Sequence, residues 1–89
     1  MTDTEETLLE FPCDFPIKAF GKQNDDFDVF VVELVRRHVP DLGEGAVTTN
    51  TSTKGKYLCV TVTIHATSKA QIDAIYKELT DDKRVVMAL

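Results

Sequence analysis

Few side chains in this sequence can do chemistry, and they are scattered. The two histidines, His38 and His65, and the two cysteines, Cys13 and Cys59, are the natural candidates for acid–base, nucleophilic or metal work. A general base needs a partner within hydrogen-bond reach. Cys59 and His65 stand six residues apart in one alternating run. In a strand they share a face but lie roughly 20 Å apart at about 3.3 Å per residue, too far to act together. His38 closes a run of apolar residues at helical spacing, where an imidazolium favours the helix C-terminus, so its expected role is structural. Two isolated cysteines do not make a four-ligand zinc site. The segment Gly21-Lys22-Gln23-Asn24 offers neither a thiol for a metal nor an arginine to fork an anion. The expectation is no catalytic residue, no metal, no cofactor and no enzyme. What remains is Lys54-Gly55-Lys56-Tyr57, two cations and an aromatic ring in sequence.

These residues need elements to position them. Phe15, Ile17 and Ala19 alternate with Pro16, Lys18 and Phe20, which predicts a first strand ended by Gly21. Asn24, Asp25 and Asp26 are candidate helix caps. Phe27, Phe30, Val31, Leu34, Val35 and His38 then recur at helical steps, with Arg36, Arg37 and His38 in the last turn and Pro40 and Gly43 as stops. Glu33 and Arg37 are spaced to pair on this helix. Ala46 to Ser52, rich in threonine, suits an edge strand, and Thr53 to Lys56 a hairpin turn with Gly55 at positive φ. Leu58, Val60, Val62 and Ile64 should face one way, and Tyr57, Cys59, Thr61, Thr63 and His65 the other. Ser68 and Gln71 form a capping box for a second helix striped by Ile72, Ile75, Tyr76 and Leu79, with Asp73 and Lys77 as a supporting pair. Val85, Met87 and Leu89 should share the inner side of a last strand.

The order β-α-β-β-α-β is best buried as an α+β, ferredoxin-like sandwich: a four-stranded antiparallel sheet with two helices on one face. Residues 1–10 are expected to be a mobile acidic N-terminal segment, and residues 11–89 a single domain. The other face should be open, carrying Lys18, Phe20, Thr48, Asn50, Tyr57, Thr61, Thr63, His65 and Val86. Antiparallel sheets often wet one face, but this mixture also suits a second copy of the chain or a partner protein.

Three stretches resemble the YbeD-like family of small bacterial proteins. They are Leu8-Leu9-Glu10-Phe11-Pro12 running on to Phe15, Lys18 and Gly21; Val35-Arg37-His38 before Pro40; and Ser52-Thr53-Lys54-Gly55-Lys56-Tyr57 leading into Val60-Thr61-Val62-Thr63-Ile64 and Ala66-Thr67. The match runs from about Leu8 to Leu89, and Glu78-Leu79 also fits it. The resemblance implies a ferredoxin-like fold close to ACT-type regulatory domains, and it brings no activity or ligand. Lys18 and Gly21 of the first stretch, with Lys54, Gly55, Lys56 and Tyr57 of the third, are the candidate ligand or partner contacts.

The net charge of −5 is the wrong sign for a general nucleic-acid binder. Lys54-Gly55-Lys56-Tyr57 ahead of Val60-Thr61-Val62 nonetheless loosely resembles the aromatic strand of RNA-recognition motifs. No apolar stretch is long enough for a membrane helix, and Met1 to Glu10 lacks the order of a signal peptide. With two unpaired thiols, the cytoplasm is the expected compartment. The expected function is a non-catalytic regulatory or interaction module for a small metabolite or partner protein, with a homodimer through the open face as one form. The alternative is a single-stranded RNA-binding module.

Overall fold

Alternation of apolar and polar residues builds the centre of the sheet. In a computed structural model, which describes residues 10–22, 26–52 and 54–89, β1 (Cys13–Lys22) lies beside β3 (Tyr57–Ala66) over its whole length. The pairing is antiparallel and runs from Cys13 opposite Ala66 to Lys22 opposite Tyr57. β2 (Val47–Thr51) flanks β3, and β4 (Val85–Ala88) flanks β1, so the order is β2-β3-β1-β4 with every neighbour antiparallel. The helices α1 (Phe27–His38) and α2 (Lys69–Asp81) cover one side. This is the ferredoxin-like architecture that the sequence pattern called for. Except for Glu10, the expected mobile segment lies outside the described residues, as do Asn24, Asp25 and Thr53.

One core joins both layers. Ile17, Ala19, Val60, Val62 and Ile64 of the sheet meet Phe27, Val31, Leu34, Val35, Ile72, Ile75 and Leu79 of the helices, all buried. Phe30 and Tyr76 of the predicted stripes pack at its margin, and Tyr76 meets Phe15 edge to face at 6.4 Å between ring centres. The Ser68 hydroxyl accepts from the Gln71 amide as expected, but the Gln71 side chain reaches back to the amide of Thr67 rather than to that of Ser68. A 3-10 turn, Glu44–Ala46, precedes β2 and was not legible beforehand.

Several expectations need correction. β1 does not stop at Gly21; it starts earlier, at Cys13, and ends at Lys22. Pro16 is tolerated inside it for a reason of direction. Lys18 exchanges both backbone hydrogen bonds with Leu89, so Pro16, two residues earlier, turns the position of its missing N–H to the side where β4 has run out. The ion pairs are also rearranged: Lys69 meets Asp73 at 2.9 Å, Lys77 meets Asp81 at 3.4 Å, and Arg37 reaches Glu78 on α2 at 3.6 Å instead of Glu33. Asp73 and Lys77 each had two candidate partners at helical spacing, and spacing alone does not choose between them, while the partner of Arg37 lies on the other helix, where sequence spacing says nothing.

The largest correction concerns β4. Phe20 stands opposite Met87, but Gly21 stands opposite Val85, leaving Val86 as an extra residue without a partner on β1. This bulge reverses the parity of the strand. Val85 and Ala88 pack against the core, whereas Met87 and Leu89 emerge on the open face.

Candidate functional site: the open sheet face

Register converts the open face into a grid. In antiparallel pairs, directly opposed residues share a face. One row is Tyr57 on β3 and Lys22 on β1. The next is Asn50, Cys59, Phe20 and Met87, across all four strands. The third is Thr48, Thr61, Lys18 and Leu89. Thr63 and Pro16, then His65 and Asp14, complete it. Neighbouring strands lie about 4.8 Å apart and successive rows roughly 6.6 Å apart, so residues one row away are within side-chain reach.

The rows differ in chemistry. Phe20 sits between Cys59 and Met87, with Tyr57 and Leu89 one row away on either side, and the bulged Val86 lines a hollow with Lys22 beside this apolar bar. Lys22 and Lys18 stand above and below Phe20 on the same strand. Among the described residues, Lys18, Lys22, Lys54, Lys56 and Lys83 meet no carboxylate. The far end of the face is acidic. There the His65 Nδ1 lies 3.2 Å from Asp14 Oδ1, with both side chains largely exposed, and Asp41 lines the same shallow hollow as this pair.

The predicted contact residues divide. Lys56, Gly55 and Tyr57 line one open hollow together with Lys22. Gly55 has φ +70°, as the hairpin required. Lys54 is exposed in the turn beside them, and Lys18 lies two rows from Tyr57 on the same face. Gly21 does not join them. It points to the helix side, buried, with the Phe27 ring and the Arg84 carbonyl where a side chain would be. Sequence reasoning missed Lys22, Met87, Leu89 and Asp14 as members of the face. Lys22 was signalled by parity with Lys18 and Phe20, once β1 is allowed to continue through Gly21.

The remaining chemistry-bearing groups stay apart. His38 lies at the junction of the helices: its carbonyl accepts from Gln71 Nε2, and its buried Nε2 makes no hydrogen bond but stands 3.3 Å from Glu78 Oε2. Cys13 and Cys59 are free thiols on opposite faces of the sheet. Among the described residues, no three His, Cys, Asp or Glu side chains come together as a metal site would need. Arg84 is engaged, its guanidinium bonded to Asp82 at 3.0 Å twice and stacked 3.7 Å over the Phe30 ring. These hydrogen bonds from Arg84 hold the Asp82 carboxyl below its ordinary value.

The model of the family described as "Protein of unknown function (DUF493)" matches residues 6–89. The chain belongs to this family. Among relatives, a UPF0250 protein of Chromobacterium violaceum is 44% identical over 89 residues, covering 100% of both chains. The UPF0250 protein NE1487 of Nitrosomonas europaea is 43% identical over 86 residues, covering 97% of this chain and 99% of its own. These matches bear out the YbeD-like resemblance. Two solved structures share the fold: the H. pylori protein HP0495, with TM-score 0.73 and 17% identity over 91% of this chain and 85% of that one, and the ACT domain of a GTP pyrophosphokinase from Chlorobium tepidum, with TM-score 0.65 and 12% identity over 85% and 84%. This DUF493 member is therefore ACT-like in shape. Among its described residues, no helix is long and apolar enough to cross a membrane.

Proposed function

We propose that the protein is a non-catalytic regulatory or interaction module of the bacterial cytoplasm that binds a partner protein across its open sheet face. One observation carries the reading. Among the described residues, five large apolar side chains are exposed, and four of them, Tyr57, Val86, Met87 and Leu89, gather on or beside this face; the fifth, Val29, is on α1. Scattered apolar residues need no explanation, but a contiguous group on one face marks an interaction surface. The dispersal of His38, His65, Cys13 and Cys59 supports a non-catalytic role, since an active site needs convergent groups. The hollows on this face are open, whereas a small-molecule site buries most of its ligand. This favours the partner over the metabolite.

Capture from bacterial lysate tests the reading. The double variant Met87→Asp/Leu89→Asp should lose the specific partner while the chain stays folded by its amide spectrum, because both side chains stand about half exposed outside the core. Equal capture by the two proteins removes the open face from the function. The RNA reading has its own observation: Phe20 and Tyr57 lie diagonally on the two central strands, with Lys22 beside them. Titration with short single-stranded RNA at low salt, followed by amide chemical shifts at Phe20, Lys22 and Tyr57, decides it.

A further inference from the structure

We propose that the occupant of the open face is an amphipathic helix of the partner protein, with acidic residues flanking its apolar stripe. The inference rests on the partner-binding reading and names the chemistry of the partner. The face presents an apolar bar, Cys59, Phe20 and Met87, bordered along β1 by Lys22 on one side and Lys18 on the other. Four residues of strand separate these lysines, which is roughly 13 Å. Seven residues of helix span about 10.5 Å at 1.5 Å each. Flexible lysine stems close the difference, so carboxylates two turns apart meet both cations while the apolar residues between them cover Phe20.

Backbone accounting selects a helix over an extended segment. Around the bar, β1 from Lys18 to Gly21 is paired to both β3 and β4, and β3 from Leu58 to Val62 to both β1 and β2. Their N–H and C=O groups are spent within the sheet. An extended segment lying on the face would bury its own backbone groups with nothing to bond, whereas a helix satisfies its own internally. Covering a sheet face with helices is also what α1 and α2 do on the other side.

Charge selects the partner over a second copy. Two copies stack bar on bar only about a two-fold axis in the plane of the interface. If the axis runs along the strands, Lys22 lies over Lys22 and Lys18 over Lys18. If it runs across them through the bar, Lys22 lies over Lys18. Like charges meet in either case, and repulsion of this kind is how interfaces reject wrong partners. An anionic membrane laid flat on the face would also meet Asp14 and Asp41 at the far end. Nucleic acid needs rings for its bases to stack on, but three of the four large apolar side chains exposed here, Val86, Met87 and Leu89, have none.

The test places a photo-crosslinking amino acid at Val86, the most exposed of these apolar residues at 61%, in the full chain. Irradiation in bacterial lysate and sequencing of the attached peptide then identify what lies there. The expected product is a helical segment of another protein carrying Asp or Glu about seven residues apart around an apolar stripe. The synthetic segment should bind the wild-type chain and bind Lys18→Glu/Lys22→Glu roughly tenfold more weakly. A segment whose affinity ignores the two lysines overturns this proposal but leaves the partner-binding reading standing. So does an attached strand, or a neutral or basic helix. Attachment to a second copy, to lipid or to RNA overturns both, as does no attachment at all.

Discussion

Two glycines of the candidate set hold their places for different physical reasons. Gly55 needs its backbone: at φ +70° any side chain is strained, yet nothing stands near it. Gly21 needs its emptiness: a Cβ there would overlap the Phe27 ring and stand 2.6 Å from the Arg84 carbonyl oxygen. Phe27 is buried and the carbonyl is backbone, so neither yields cheaply. Gly21→Ala should therefore destabilise by about 1–3 kcal/mol, as overpacked cores do, and thermal unfolding will show it. Gly55→Val should cost about 1–2 kcal/mol from left-handed strain alone, while leaving the core amide spectrum unchanged. If Gly21→Ala melts like the wild type, the close approach of Phe27 to β1 is wrong. The sequence pattern already places Gly55 in a turn at positive φ, but at Gly21 it shows only the end of a strand. The difference between them appears once the Phe27 ring of α1 is laid over β1.

At the scale of elements, α1 is fastened at several points. Leu34 is 2% exposed and sits in the core, so Leu34→Ala should cost about 2–5 kcal/mol, a large share of what a domain this small holds. The other fastening is the turn between α2 and β4. Asp82 accepts from the amide and the guanidinium of Arg84, and that guanidinium stacks on Phe30 of α1. The pKa of Asp82 is depressed in the folded chain, chiefly by the side-chain bond to Arg84. A depressed carboxyl stabilises above its unfolded value and loses that contribution as pH falls through the folded one. Asp82→Asn should thus lower the melting temperature at neutral pH, and the gap from the wild type should close as the solution is taken below about pH 4. A gap that persists in acid would mean that the loss is packing rather than charge. The helices and β3 were legible because long periodic runs average over local exceptions. β4 was not. It is short, and the single extra residue Val86 inverts which of its side chains face the core. The Asp14–His65 pair was hidden for a related reason, since it joins positions 51 residues apart and exists only in one register.

For the molecule as a whole, charge is sorted along the sheet. An acidic chain collects unpaired lysines at the end where β1 stops and β3 begins, and carboxylates at the other end. Across β3 the two ends are roughly 26 Å apart, beyond the Debye length of about 8 Å at physiological salt, so each end acts on a partner independently. Within the lysine end, two roles separate by position. Lys56 lines the hollow with Lys22 and Tyr57, whereas Lys54 stands in the turn outside it. A charge in contact acts mainly on dissociation, and one outside contact acts through the field, on association. Lys54→Glu should slow association with the partner, and the effect should fade as salt rises. Lys56→Glu should speed dissociation and keep part of that effect at high salt. Neither should change stability by more than about 0.5 kcal/mol, since both side chains are exposed and unpaired. Surface-binding kinetics at two salt concentrations separate the roles. If the two variants behave alike at both, the hollow of Lys22, Lys56 and Tyr57 is not a contact but part of a general positive field.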